Sequence, residues 1–208
     1  MVNLKLFTNE QLETISQAIG EIEKTTDAEL MTVVATKADD YYFVPTLWAA
    51  IIALFIPALL NFLPFWLELN DVLLCQLVGF IAFTLLFRIP AIKYRLVPKA
   101  VKHRRASLVA REQFLANGIH RTKQHLGVMI FVCEAEHYVE ILTDFGISEQ
   151  ISDDAWSSIV ADFTTNVRAG KTYEGFLQCL EQSSKLLANA YPLTENKNEL
   201  PNCLVVIS

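Results

Sequence analysis

Between Phe43 and Phe87 the chain carries two formal charges, Glu68 and Asp71, and they stand almost side by side. The rest of the stretch is apolar or uncharged, so this acidic pair divides it into two limbs. The first, Phe43–Leu67, has 25 residues, more than the roughly 20 that a helix needs to cross a hydrocarbon core. The second, Val72–Phe87, has 16. At about 1.5 Å per residue it reaches roughly 24 Å, so spanning requires a thinned bilayer or the recruitment of Leu69 and Ile89 while Arg88 snorkels to the head groups. The pattern predicts a transmembrane hairpin with helices over 43–67 and 72–89. Pro57 and Pro64 are expected to kink the first helix, with Asn61 between them near the interface. Tyr41, Tyr42, Trp48 and Trp66 lie near its ends, where such rings favour the membrane boundary. No glycine pair at small-xxx-small spacing argues for close helix packing.

Outside the hairpin the periodicities are those of a soluble α/β domain. Thr8 and Gln11 have capping-box spacing, and Leu12, Ile15, Ile19 and Ile22 follow on one helical face. Leu30–Thr36 is rich in β-branched residues and reads as a buried strand. After the hairpin, Pro90 and Pro98 should break any helix over 89–98. A helix is predicted over about 101–116, stopped by Asn117-Gly118. Residues 127–133 and 138–142 read as strands of one antiparallel hairpin. Asp144-Phe145-Gly146 reads as a turn. Trp156, Ile159, Val160, Phe163 and Val167 then form one helical stripe, and Tyr173, Phe176, Leu177, Leu180 and Leu187 another over 172–190. Residues 204–207 supply a last strand. One helix and one strand cannot bury a core. Residues 1–40 are therefore expected to pack with 100–208 as a discontinuous domain that the membrane hairpin interrupts.

Charge sharpens this picture. The net charge of −6 divides into +8 over residues 88–111 and −7 on either side. The basic collar holds Arg88, Lys93, Arg95, Lys99, Lys102, Arg104, Arg105 and Arg111 with no acid among them, whereas the loop Glu68–Asp71 has no base. By the positive-inside rule both termini and the soluble domain are cytoplasmic. The first seven of these residues are the candidates for contact with anionic head groups. Nucleic-acid binding is not expected, because the body is acidic and shows no recognition motif. No secretory signal is legible in residues 1–30. The four cysteines, Cys75, Cys133, Cys179 and Cys203, have no paired spacing and read as small apolar fillers in a reducing compartment.

Candidate chemistry is sparse. The seven glycines form neither a phosphate-cradling loop nor a dinucleotide fingerprint, and no nucleophile elbow or paired-cysteine metal site can be written. His103, His120, His125 and His137 share no helical face. Asp144 ends a predicted strand, and Asp153 and Asp154 begin the next helix. These three carboxylates are the candidate ligands for a hard cation, calcium or magnesium, at a sheet edge. The same residues also suit structural duties, Asp144 in a turn and the other two at the positive end of a helix dipole. Glu29 and Glu140 join such a cluster only if their strands bring them to that edge. The sequence assigns no catalytic residue.

Two blocks carry a family resemblance. Residues 13–34, Glu-Thr-Ile-Ser-Gln-Ala-Ile-Gly-Glu-Ile-Glu-Lys-Thr-Thr-Asp-Ala-Glu-Leu-Met-Thr-Val-Val, resemble the opening of the TPM domain. That family is named for thylakoid-lumen and photosystem II repair proteins and a nematode receptor-associated protein. Gly127–Phe131, Val139–Ile147, Trp156 and Arg168–Gly175 resemble the remainder of the domain. The resemblance implies a three-layer α/β/α fold with a mixed sheet, here interrupted by the two-helix transmembrane hairpin. Members include acid phosphatases, divalent-cation binders and assembly or maintenance factors. A hairpin fixed into the domain, without a legible catalytic constellation, points to a membrane-tethered interaction module assisting the assembly or maintenance of membrane proteins; the resemblance implies a metal-assisted acid phosphatase acting on phosphomonoesters as the alternative. A bilayer with anionic head groups and a membrane-protein partner are the expected partners, and the bacterial inner membrane the expected location. The chain departs from relatives in its interrupting hairpin and in Leu126, where relatives often place Asp or Asn before the glycine of the central strand.

Overall fold

In a computed structural model the described residues are 7–62, 68–194 and 204–207. The expectations for Pro64, Trp66 and Cys203, and for the part of the first limb over 63–67, lie outside them. The chain divides into two compact units, residues 1–38 with 103–208, and residues 39–102.

The first unit is built on a mixed sheet. Strand β1 (Glu29–Ala35) lies between β2 (Gly127–Cys133) and β4 (Leu204–Ile207), parallel to both, and β3 (Tyr138–Thr143) pairs antiparallel with β2. Every residue of β1 and β2 is buried, as expected for strands covered on both faces. Alternation then sorts their side chains. Leu30, Val34, Val128, Ile130 and Val132 face one core together with helices α1 (Asn9–Glu23), α7 (Asp153–Arg168) and α8 (Thr172–Ala190). Met31, Val33, Ala35, Met129, Phe131 and Cys133 face the other, under Ala106 and Ala110 of α5 (Lys99–Ala116). The result is the three-layer α/β/α arrangement.

Local chemistry fixes the ends of these elements. Thr8 and Gln11 form the expected capping box of α1. Gly118, left-handed at φ 70°, follows α5. Edge-to-face rings tie the large core together, with Phe176 5.5 Å from Phe7 and 5.7 Å from Phe163. The carbonyl of Tyr191, just past α8, accepts from the Thr26 hydroxyl at 2.6 Å and from the Asp27 N–H at 3.1 Å, which fastens α8 to the entry of β1.

One expected turn is instead a helix. Asp144 does not turn the chain back but caps a short α6 (Phe145–Gln150), its Oδ1 accepting from the Phe145 N–H at 2.8 Å. The glycine of this motif is required by packing, since a Cβ at Gly146 would stand 2.7 Å from the carbonyl oxygens of Gln124 and His125.

In the second unit α2 (Phe43–Leu60) and α3 (Leu69–Phe87) pack side by side, and α4 (Pro90–Leu96) follows. Helix α2 stops at Leu60, short of the predicted limit at 67, and Pro57 lies inside it. Helix α3 begins three residues before Val72, because Glu68 and Asp71 form a reciprocal cap at its start. With 19 residues it has the length that a membrane-crossing helix needs. The prolines act as expected at 89–98. Pro90 starts α4, and Pro98 separates it from α5, which begins at Lys99 rather than Val101.

Candidate functional site

Helices α2 and α3, of 18 and 19 residues, are both long and apolar enough to cross a membrane. Each shows one seam and one open face. On α2 the seam includes Pro45, Ala49 and Ala53, with Ala49 fully buried. On α3 it is Val72, Gln76, Gly79, Phe80, Phe83, Thr84 and Phe87, all half-buried at helical spacing. A Cβ on Gly79 would collide with the tip of Ile56 of α2. The search for a glycine pair missed this seam, because alanines one turn apart on α2 and a single glycine on α3 give the close approach. The polar side chains Gln76 and Thr84 sit in the seam rather than on the open face.

The open faces are extensive. Leu47, Trp48, Ile51, Leu54, Phe55, Leu59, Leu73, Leu74, Leu77, Val78, Ile81, Leu85 and Leu86 are all exposed, and α3 has no fully buried residue. Soluble monomers rarely expose contiguous apolar patches beyond a few hundred Å².

Where α2 begins and α3 ends, a small cluster closes the unit. Tyr41, Val44 and Val97 are buried there with Tyr94, Leu96 and Val101 against them. The rings of Tyr41 and Tyr94 meet edge to face at 6.0 Å. Tyr41 is thus buried in this cluster, whereas Tyr42 is 67% exposed. The Lys93 ammonium lies 5.1 Å from the Tyr94 ring and 5.9 Å from that of Tyr42. Lys102 Nζ donates to the Tyr94 carbonyl at 3.0 Å. Arg88, Arg95 and Lys99 are exposed in the same unit, and Arg104 and Arg105 are exposed further along α5.

The acidic candidates do not come together. Strand β3 runs against β2, so Asp144 stands beside Gly127, its N–H donating to the Gly127 carbonyl at 2.8 Å. That is the amino edge of the parallel strands, opposite the carboxyl edge where α/β folds usually hold ligands. Its Oδ2 also lies 3.1 Å from His125 Nδ1. Asp153 and Asp154 are exposed in the first turn of α7 behind Ser152, and serve the helix dipole. Glu29 begins β1 at the amino edge. Glu140 sits in mid-β3, opposite Phe131, and accepts from Tyr138 Oη at 3.1 Å and Ser107 Oγ at 3.4 Å. Among the described residues no three His, Cys, Asp or Glu side chains are placed to hold a metal ion.

The carboxyl edge holds a residue that sequence reasoning passed over. Glu136, 2% exposed in the β2–β3 turn, accepts from the Ala38 N–H at 3.0 Å and from the Cys133 thiol at 2.8 Å. Around it, Glu134 N–H donates to the Ala35 carbonyl and Ala135 N–H to that of Thr36. The turn thereby clips the chain as it leaves β1. Burial, reinforced by Glu136, pushes the Cys133 thiol well above its ordinary range, and burial pushes Cys179 up to about 12. Neither is a nucleophile at neutral pH. The turn's one sequence signal was a buried-strand cysteine three residues before a glutamate.

Residues 96–186 match the sequence model of the TPM domain. No curated protein matches the chain in sequence. Among solved structures, the NMR structure of the BA42 protein from the psychrophilic bacterium Bizionia argentinensis superposes with a TM-score of 0.56. The two are 19% identical, over 99% of each chain, so this likeness speaks to the fold alone. Residues 96–186 are thus similar to the TPM domain, and the α/β/α layers are a fold shared with the BA42 structure.

Proposed function

We propose that the chain is a membrane-tethered TPM module. In this reading α2 and α3 cross the bilayer, both termini and the α/β unit face the cytoplasm, and the unit engages a membrane protein during its assembly or maintenance. The observation that carries the reading is the exposed apolar surface of α2 and α3. At roughly 25 cal/mol per Å², a single exposed Leu or Phe gains on the order of 1.5–3 kcal/mol on leaving water, and more than a dozen do so together. The charge pattern supplies direction, with acids at the tight loop and bases beyond α3. Three carboxylates of the α/β unit serve its own fold. Asp144 caps α6, Glu136 clips β1, and Glu140 binds Tyr138 and Ser107. Phosphomonoester hydrolysis with a divalent metal is the alternative reading, and among the described residues no three His, Cys, Asp or Glu side chains are assembled for it.

Cys75 provides the test, seven residues into α3 and exposed on its open face. In a C203S background it is the one thiol with ordinary access, since Cys133 and Cys179 are buried. Reconstituted into lipid vesicles, Cys75 should resist a water-soluble maleimide and react once the protein is denatured in detergent. Labelling in intact vesicles at the rate of a free thiol overturns the tether.

A further inference from the structure

We infer that the root of the hairpin, where α2 begins and α4 follows α3, is a binding site for anionic phospholipid head groups, centred on Lys93 and Lys102. The inference rests on the tether reading and adds a partner chemistry and a geometry to it. Five cations belong to this unit, Arg88, Lys93, Arg95, Lys99 and Lys102, and all fall after α3. Two acids, Asp39 and Asp40, precede α2 at the same end, and Asp39 Oδ1 is engaged by the Tyr41 N–H at 3.0 Å. The far end of the hairpin has Glu68 and Asp71 and no cation.

Two of the five cations are held in place. Lys93 is gripped between the rings of Tyr42 and Tyr94, and Lys102 is pinned to the backbone of Tyr94. Tyr94 is itself fixed by its edge contact with buried Tyr41. A lysine ordered in advance loses less side-chain entropy on meeting a phosphate. Tyrosine and lysine are also the side chains that combine an apolar stem with a polar tip at head-group depth. The occupant is a lipid rather than a soluble anion because the apolar helices place this root at a bilayer surface, and complementarity then demands negative charge.

The full chain is returned to nanodiscs holding equal parts phosphatidylcholine and phosphatidylglycerol, then released for native mass spectrometry. Phosphatidylglycerol adducts should outnumber phosphatidylcholine adducts about fivefold or more, one surface lysine being worth roughly that factor. K93Q/K102Q should bring the ratio near parity, and Y94L, which keeps every charge, should lower it at least twofold. K171Q, a charge change at the exposed start of α8, should leave it alone. Parity in the unaltered chain, an unchanged ratio in K93Q/K102Q or Y94L, or an equal loss in K171Q overturns the inference. Loss of the preference on adding millimolar inorganic phosphate overturns the assignment to lipid. Cys75 protection, measured on the same samples, separates the two readings. Protection without lipid preference defeats this inference alone, and loss of protection in the unaltered chain defeats the tether.

Discussion

Glu23 is the residue whose ionisation most constrains the fold. It ends α1, half-buried, at the helix pole that disfavours negative charge. Burial, and then the neighbouring charge of Glu29, raise its pKa from 4.5 to about 7. Below pH 4.5 both folded and unfolded chains hold the proton. As pH rises from there the unfolded chain releases it first, so stability falls until about pH 7 and is then level. The shift corresponds to about 3 kcal/mol at most, and solvent screening of a half-buried group reduces this to roughly 1–2 kcal/mol. E23Q should therefore raise the melting temperature at pH 8 and flatten the slope between pH 5 and 7. An unchanged pH profile in E23Q removes this residue from the account. Asp144 makes a second residue-scale case. If it is a cap, D144A costs about 1 kcal/mol of unfolding free energy, with or without divalent ions in the buffer. A stability difference that appears only when calcium or magnesium is present points back to a cation site. Neither role was visible in the sequence. Asp-Phe-Gly is equally consistent with a turn and with a capped helix, and a carboxylate's pKa depends on neighbours that only the fold supplies.

Among the elements, the α2–α3 seam gives the sharpest expectation. Gly79 admits the tip of Ile56, so a side chain there requires Ile56 to turn aside or the helices to part, and a large one favours the second. G79L should separate the helices and lower the thermal stability of the protein in detergent by a cost typical of overpacking, about 1–3 kcal/mol. Ala82, one turn along on the open face, is the control, and A82L should be near neutral. Equal effects at both positions contradict the seam. Most elements were legible, and for a physical reason. Period and caps are local signals, so Thr8 and Gln11 announced α1, and the apolar run 127–133 announced β2. What escaped was non-local. Strand direction set Asp144 at the amino edge, and no feature of residues 138–144 alone encodes that placement. Helix α3 takes in Leu69 because Glu68 and Asp71, which look like a loop by charge, have the spacing of a reciprocal cap.

At the scale of the whole molecule, sequence and structure agree on a mixed-sheet α/β/α unit and a pair of apolar helices, and the match to the TPM domain over residues 96–186 falls largely within the first. The candidate site was legible only in part. Composition alone marked the apolar limbs and the basic residues beyond them, whereas the tyrosine clamp on Lys93 required the fold. Glu136, which ties the exit of β1 to the β2–β3 turn, is an anchor that composition does not single out. E136A should leave the Ala38 N–H without its acceptor and cost about 1–3 kcal/mol in unfolding experiments. The central claim is topological and is tested most directly in intact cells. Single cysteines are placed in a C75S/C203S background at Asn70, exposed at the start of α3, and at Lys171, exposed at the start of α8. Both are then probed with a membrane-impermeant maleimide. The account predicts that N70C labels from outside and that K171C labels only after the membrane is opened. Labelling of K171C in sealed cells with protection of N70C would contradict the orientation, and equal labelling of both in sealed cells would contradict the hairpin itself.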